Sequence, residues 1–170
     1  MRRFALIGLA LALSACDTDA TDPSKQPIVF TAALSAANET SAIGGGEGSG
    51  TGSVTITFSV PRDASGNVTG DGVWNVQANL TGLASTTTII LSHIHTGASG
   101  VAGPVYVNTG LTAANAIAIP NGAGLVNFTS VPITQAQAQT VMNNPAGHYF
   151  NMHSPANPGG VVRGQLVRQQ

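Results

Sequence analysis

Cysteine is nearly missing from this chain. Cys16 is the only one in 170 residues, which excludes an intrachain disulfide. Charge is scarce as well. Only 8% of residues are Asp, Glu, Lys or Arg, against roughly 25% in ordinary soluble domains. Beyond residue 30 the cations are Arg62, Arg163 and Arg168 alone. With no basic patch and a net charge of −1, nucleic acid is excluded as a partner. No sustained amphipathic helix supports an α/β alternative, and there is no internal repeat. The usual catalytic patterns are missing too. No Ser-His-Asp spacing and no paired carboxylates occur. The Gly-rich stretch Gly44 to Gly52 lacks a following Lys-Thr or helix, so it is not a phosphate loop. Glu39, Glu47, Asp63 and Asp71 are too dispersed for a calcium loop. The chain therefore reads as not an enzyme.

What is present begins with an address. Arg2 and Arg3 precede the apolar stretch Phe4 to Leu13, which has the length of a signal-peptide core and is too short to span a bilayer. Leu13-Ser14-Ala15-Cys16 follows and resembles the bacterial lipobox, whose cysteine is lipidated and becomes the first mature residue. This reading accounts for a lone cysteine in a secreted protein. Residues 1–15 are then a lipoprotein signal peptide. Residues 16–27, polar and with two prolines, are a tether. Residues 28–170 form the domain. The implied location is the cell envelope, with the lipid bilayer as partner through lipidated Cys16.

The domain reads as β throughout. The clearest strand is Gly52 to Val60, where Val54, Ile56, Phe58 and Val60 alternate with Thr55, Thr57 and Ser59. Val73 to Leu80 alternates likewise, with Trp74, the only tryptophan, as a core anchor. Further strands are expected at Ile28 to Ala36, Thr86 to His95 (Ile90 and Ile94 inward), Pro104 to Asn108, Gly124 to Ile133, Gly147 to His153 and Val161 to Val167. Pro132 marks the Gly124 to Ile133 strand as an edge or an ending. Asn38 to Gly52, with six glycines and little else to pack, reads as a flexible loop or an irregular hairpin arm. Thr134 to Asn144 is the one helix candidate. Thr134 is its N-cap, and Pro145 and Gly147 stop it. Short strands separated by turn signals point to an antiparallel Greek-key β-sandwich with one short helix.

Two histidines stand out on this scaffold. In Ser92-His93-Ile94-His95 the strand period of two puts both imidazoles on one face and Ile94 on the other. In the later strand Tyr149, Asn151 and His153 share a face, while Phe150 and Met152 share the opposite one. His148 falls on the Phe150 side. If the two strands are neighbours, His93, His95 and His153 converge. Three neutral imidazoles are a sufficient ligand set for zinc or copper. The alternative is that each imidazole hydrogen-bonds a loop, with Asn151 and Arg163 as partners.

Three segments in order carry a resemblance. They are Phe30 to Thr40 with its Asn38-Glu39 pair, Ser92 to Val107 with His-x-His and a later Gly-Pro, and Ala146 to Leu166 with Tyr149, Asn151, His153, Pro158, Gly159, Arg163, Gly164 and Gln165. Over about residues 28 to 168 the chain resembles the CHRD (chordin-like) domain family. The resemblance implies an immunoglobulin-like or superoxide-dismutase-like sandwich and carries no settled activity with it. Two departures stand out. Thr40-Ser41 replaces the family's Val-Pro, and Val161 stands where an acid often precedes the arginine. The His-x-His is also similar to one that copper-zinc superoxide dismutases use for copper. The loop acids and paired cysteines of those enzymes have no counterpart here. Two expectations follow. The first is a membrane-anchored, non-catalytic binding or adhesion module for a protein or polysaccharide. The alternative is copper or zinc binding through His93, His95 and His153, with Tyr149, Asn151 and Arg163 as a supporting polar network.

Overall fold

A computed structural model of the protein describes Asp22 and residues 24–169. The signal segment and Cys16 lie outside the described residues. The described strands are β1 (Ile28–Ser35), β2 (Thr51–Ser59), β3 (Gly72–Thr81), β4 (Thr88–Ile89), β5 (Leu91–Thr96), β6 (Val105–Asn108), β7 (Ile117–Ala118), β8 (Gly124–Ile133), β9 (His148–His153), β10 (Val162–Gln165) and β11 (Val167–Arg168). One α-helix, α1 (Gln135–Asn143), joins β8 to β9. With 44% of the described residues in strands and one nine-residue helix among them, the fold is all-β. Among the described residues no helix is long and apolar enough to cross a membrane.

Alternation builds the first half of the domain. Val54, Ile56 and Phe58 of β2 face inward, as do Trp74, Val76, Ala78 and Leu80 of β3. The register places Phe58 beside Trp74 and Ile28 beside Phe58. Phe30, Phe58 and Trp74 then meet edge to face, with ring centroids 5.0 and 6.3 Å apart, an arrangement that aromatic quadrupoles favour. Trp74 is fully buried, as its role as core anchor requires.

The main sheet runs β6-β5-β9-β10-β1-β2-β3-β8, all antiparallel, with β11 also on β1; β4 and β7 pair separately. Ile94, Phe150 and Met152 from one half join Phe30, Phe58 and Trp74 from the other in a single hydrophobic cluster. The sheet therefore curls so that its two halves face each other across one core, as the layers of a sandwich do. Pro132 lies on the edge strand β8, where its missing N–H costs no central pairing. In the same strand Thr129 and Ser130 both stand opposite Asn75, a bulge held by Ser130 N–H donating to Asn75 Oδ1 at 2.7 Å. Thr134 caps α1 through a reciprocal box with Gln137. The helix buries Ala138, Val141 and Met142.

The structure corrects three expectations. Thr86 to His95 is not one strand. The chain leaves β4 and enters β5 at Ile90, whose N–H donates to the His153 carbonyl at 2.9 Å. This step shifts the side-chain parity, so Ile89 rather than Ile90 enters the core beside Ile94. The last strand is likewise interrupted at Leu166, whose N–H turns to the His148 carbonyl. Thirdly, the Gly-rich segment joins the antiparallel pair β1 and β2 as an irregular hairpin arm, but it is anchored rather than flexible. Glu47 within it is buried, and its carboxylate accepts from Thr87 Oγ1 (2.6 Å), Ser154 Oγ (2.5 Å) and Asn157 Nδ2 (2.6 Å).

A candidate three-histidine metal centre

β5 and β9 are neighbours, with Leu91 opposite His153, His93 opposite Asn151 and His95 opposite Tyr149. Ile94 is fully buried in the core. Its neighbours His93 and His95 leave from the other face, where His153 approaches from β9. The three imidazoles come together there with ring centroids 4.8 to 5.9 Å apart. All three are buried, at 4%, 7% and 5% exposure. His148 is held apart. Its Nδ1 donates to the Asn144 carbonyl, and its ring packs against Tyr106.

The outer hydrogen bonds decide which nitrogens face inward. His95 Nδ1 lies 2.9 Å from the Gly103 carbonyl, and His153 Nδ1 lies 2.9 Å from the Pro158 carbonyl. A carbonyl only accepts, so both rings carry their proton on Nδ1. Both Nε2 atoms are then lone-pair acceptors. They point at His93 Nδ1, from 3.3 and 3.1 Å. His93 has at most one proton to offer there, so at least one lone pair is left without a donor in either tautomer. The ligand nitrogens all lie within 4.8 Å of one another. Two of the separations match the roughly 3.3 Å edge of a tetrahedron built on Zn–N bonds of about 2.0–2.1 Å. Backbone carbonyls that fix the outer ring nitrogen are the usual second layer of a histidine metal site.

The electrostatics keep these rings neutral. Burial lowers the His93 pKa to about 4, and the neighbouring His153 and His95 add to the effect. Burial also lowers His95 and His153, partly offset by their bonds to Gly103 and Pro158. Neutral imidazole is the form that ligates metal.

Around the rings lies a stacked polar layer. Tyr149 lies flat on His95, with centroids 4.8 Å apart and planes 4° apart. The Arg163 guanidinium carbon sits 3.4 Å from the centre of the Tyr149 ring, a cation–π contact. Because β9 lies between β5 and β10, Tyr149 separates His95 from Arg163. Arg163 Nη2 donates to the Ala98 and Val101 carbonyls at 2.8 and 2.9 Å. Gln165 Nε2 donates to the Gly97 carbonyl, and Tyr149 Oη accepts from Gly103 N–H. The segment from Gly97 to Gly103 is thereby clasped over the histidines. Gly103 admits no side chain, since a Cβ there would lie 1.6 Å from the Thr96 carbonyl oxygen.

Asn151 and Arg163 are not the histidines' hydrogen-bond partners, contrary to the sequence expectation. Backbone carbonyls hold the rings instead, because the covering loops bring C=O groups to the outer nitrogens. Asn151 lies beside Glu39. A Cβ on Gly160 (φ +136°) would fall within 2.6–2.7 Å of the Glu39 carboxylate and the Asn151 amide nitrogen. Asn151 Oδ1 and Glu39 Oε1 are buried without a partner among the described residues. Burial raises the Glu39 pKa to about 7, against the pull of Arg163 and Asn151. Sequence reasoning had Gly103 and Pro158 only as parts of the family resemblance and gave them no role at the site, because backbone oxygens leave no residue-type signal. It missed Glu39 and Glu47 as well. The Asn38-Glu39 pair was the signal for the first, and a lone acid among glycines was the signal for the second.

A family model described as the CHRD domain matches residues 30–166. The chain belongs to the CHRD domain family. His93, His95, His153, Tyr149 and Arg163 all fall within the matched CHRD segment. No curated protein and no solved structure matches this CHRD chain.

Proposed function

We propose that this CHRD domain binds a transition-metal ion, copper or zinc, through His93, His95 and His153, and that its role is binding rather than catalysis. One observation carries the reading. The Gly103 and Pro158 carbonyls set two imidazoles so that both Nε2 lone pairs converge on His93 Nδ1. Buried lone pairs without donors are costly, and a cation satisfies all of them. The test is titration of the purified protein with copper and with zinc, following both bound metal and thermal unfolding. Retention at micromolar metal, with a rise in unfolding temperature that the triple alanine variant loses, is the expected result. No retention, or retention that survives H93A/H95A/H153A, overturns it.

A second reading concerns location. Leu13-Ser14-Ala15-Cys16 followed by a polar, proline-containing segment supports a lipid anchor on Cys16 that holds the domain at a bacterial cell envelope, where it meets a protein or polysaccharide. Acyl-chain labelling of the expressed protein, abolished by Cys16→Ser, is the expected result. Labelling that persists in the variant rules the anchor out.

A further inference from the structure

We propose that the three-histidine site selects monovalent copper over the divalent ions, zinc and copper(II). The inference rests on the metal-binding reading above and adds the charge and coordination number of the ion.

Three features of the site converge on copper(I). First, every donor is neutral. Among the described residues the ligand group is His93, His95 and His153, with no cysteine or carboxylate joining it. A divalent ion there keeps its full +2 charge in a buried place, and the cost of burying charge grows steeply with its magnitude. Secondly, the charge next to the site has the wrong sign for a cation. Arg163 is 2% exposed and lies one ring away, stacked on the Tyr149 that itself covers His95. Neither Glu39 nor Glu47 joins the ligand group. Glu47 is bonded to Thr87, Ser154 and Asn157. Glu39 packs at Gly160 beside Asn151. At an effective dielectric constant near 20, a like charge several ångströms away penalises a +2 ion by about twice what it costs a +1 ion.

The third feature is coordination number. Zinc takes four ligands, and copper(II) prefers a tetragonal set. Here three nitrogens converge among rings only 4–7% exposed, under a loop clasped by Arg163, Gln165 and Tyr149. That leaves little access for the water ligands a divalent ion needs to complete its shell. Copper(I) is a closed-shell d¹⁰ ion stable with three ligands or fewer.

The experiment uses the purified full chain. Copper(I), kept reduced by ascorbate without oxygen, is titrated against bicinchoninate. Zinc(II) and copper(II) are titrated against chelators of known affinity. Copper(I) held at least about 100-fold more tightly than zinc, with copper(II) also weaker than copper(I), is the expected result. Arg163→Gln, which removes the charge and keeps an N–H donor, should narrow the copper(I)-to-zinc ratio about tenfold. Zinc or copper(II) held more tightly than copper(I) overturns the inference and leaves three-histidine metal binding standing. No metal retained by the native protein overturns both. An unchanged ratio in a folded Arg163→Gln protein, judged by its circular dichroism, overturns the role given to the arginine.

Discussion

Strands β2 and β9 are both central and antiparallel, yet they are buried in different ways. β2 alternates, with Val54, Ile56 and Phe58 inside and Thr55 and Ser59 exposed. β9 is buried at all six positions. On the inner face the two strands do the same work, because Phe58 and Phe150 both enter the shared core. The difference lies wholly on the outer face. Over β2 it meets solvent. Over β9 it is covered by the segments from Gly97 to Gly103 and from Ser154 to Gly160, and by Glu39. A second, polar layer is therefore buried, and a buried polar group needs a partner. That requirement turns the closed half into a site. His95, His153, Tyr149 and Arg163 all find backbone groups of the covering loops.

The largest effects should ignore this distinction. Trp74→Ala in the open half and Phe150→Ala in the closed half should each cost about 3–5 kcal/mol in urea unfolding, because both empty the same core. A cost below about 1 kcal/mol for either would mean that the two halves do not share it. The outer faces should then separate them. Glu47→Gln leaves its hydroxyl and amide donors with one poorer acceptor. The loss should be about 2–3 kcal/mol. An unchanged unfolding midpoint would show that the carboxylate is not what ties the Gly-rich segment to the closed half.

Next in size is the response to acid. The histidines have lowered pKa values in the folded protein, His93 at about 4 against an ordinary 6.5. The unfolded chain therefore takes up protons first, and the stability they contribute is present above pH 6.5 and lost as pH falls toward 4. Glu39 acts in the opposite sense. Its pKa is raised from 4.5 to about 7, so its contribution is present below pH 4.5 and lost as pH rises through about 7. The two oppose each other between these limits, and three imidazoles against one carboxyl give a net loss on acidification. Urea midpoints should fall from pH 7 to pH 4. Glu39→Gln should steepen that fall and His93→Gln should flatten it. Greater stability at pH 4.5 than at pH 7 would contradict the burial of neutral rings. The smallest effect belongs to the open face. Thr55→Ala and Asn127→Ala should each stay within about 0.5 kcal/mol, and a cost above about 1 kcal/mol would show that this face is covered too.

Much of this arrangement was legible beforehand. Strand parity around Ile94 is a local property of extended backbone, so the common face of His93 and His95 followed from their spacing. The same rule joined Tyr149, Asn151 and His153 and set His148 aside. Parity failed at Ile90, because a change of sheet partner is a tertiary event with no residue signal. It was also silent on what covers a strand's outer face. Asn151 and Arg163 look like natural partners for histidine by residue type, but the carbonyls of Gly103 and Pro158 take that place. Backbone oxygens are the same at every position, so only the path of the loops decides which of them arrive.

Composition and spacing by themselves determined that this is an all-β chain with a tryptophan-centred core and two imidazoles on one strand face. Those properties depend on hydrophobic alternation and the period of two, which are written residue by residue. The tertiary structure alone decided that β5 and β9 pair in the register that brings His153 to His93. It also decided that two loops close over them and that their carbonyls turn the ring nitrogens inward. These are long-range matters of chain path, and they turn three separate histidines into one site.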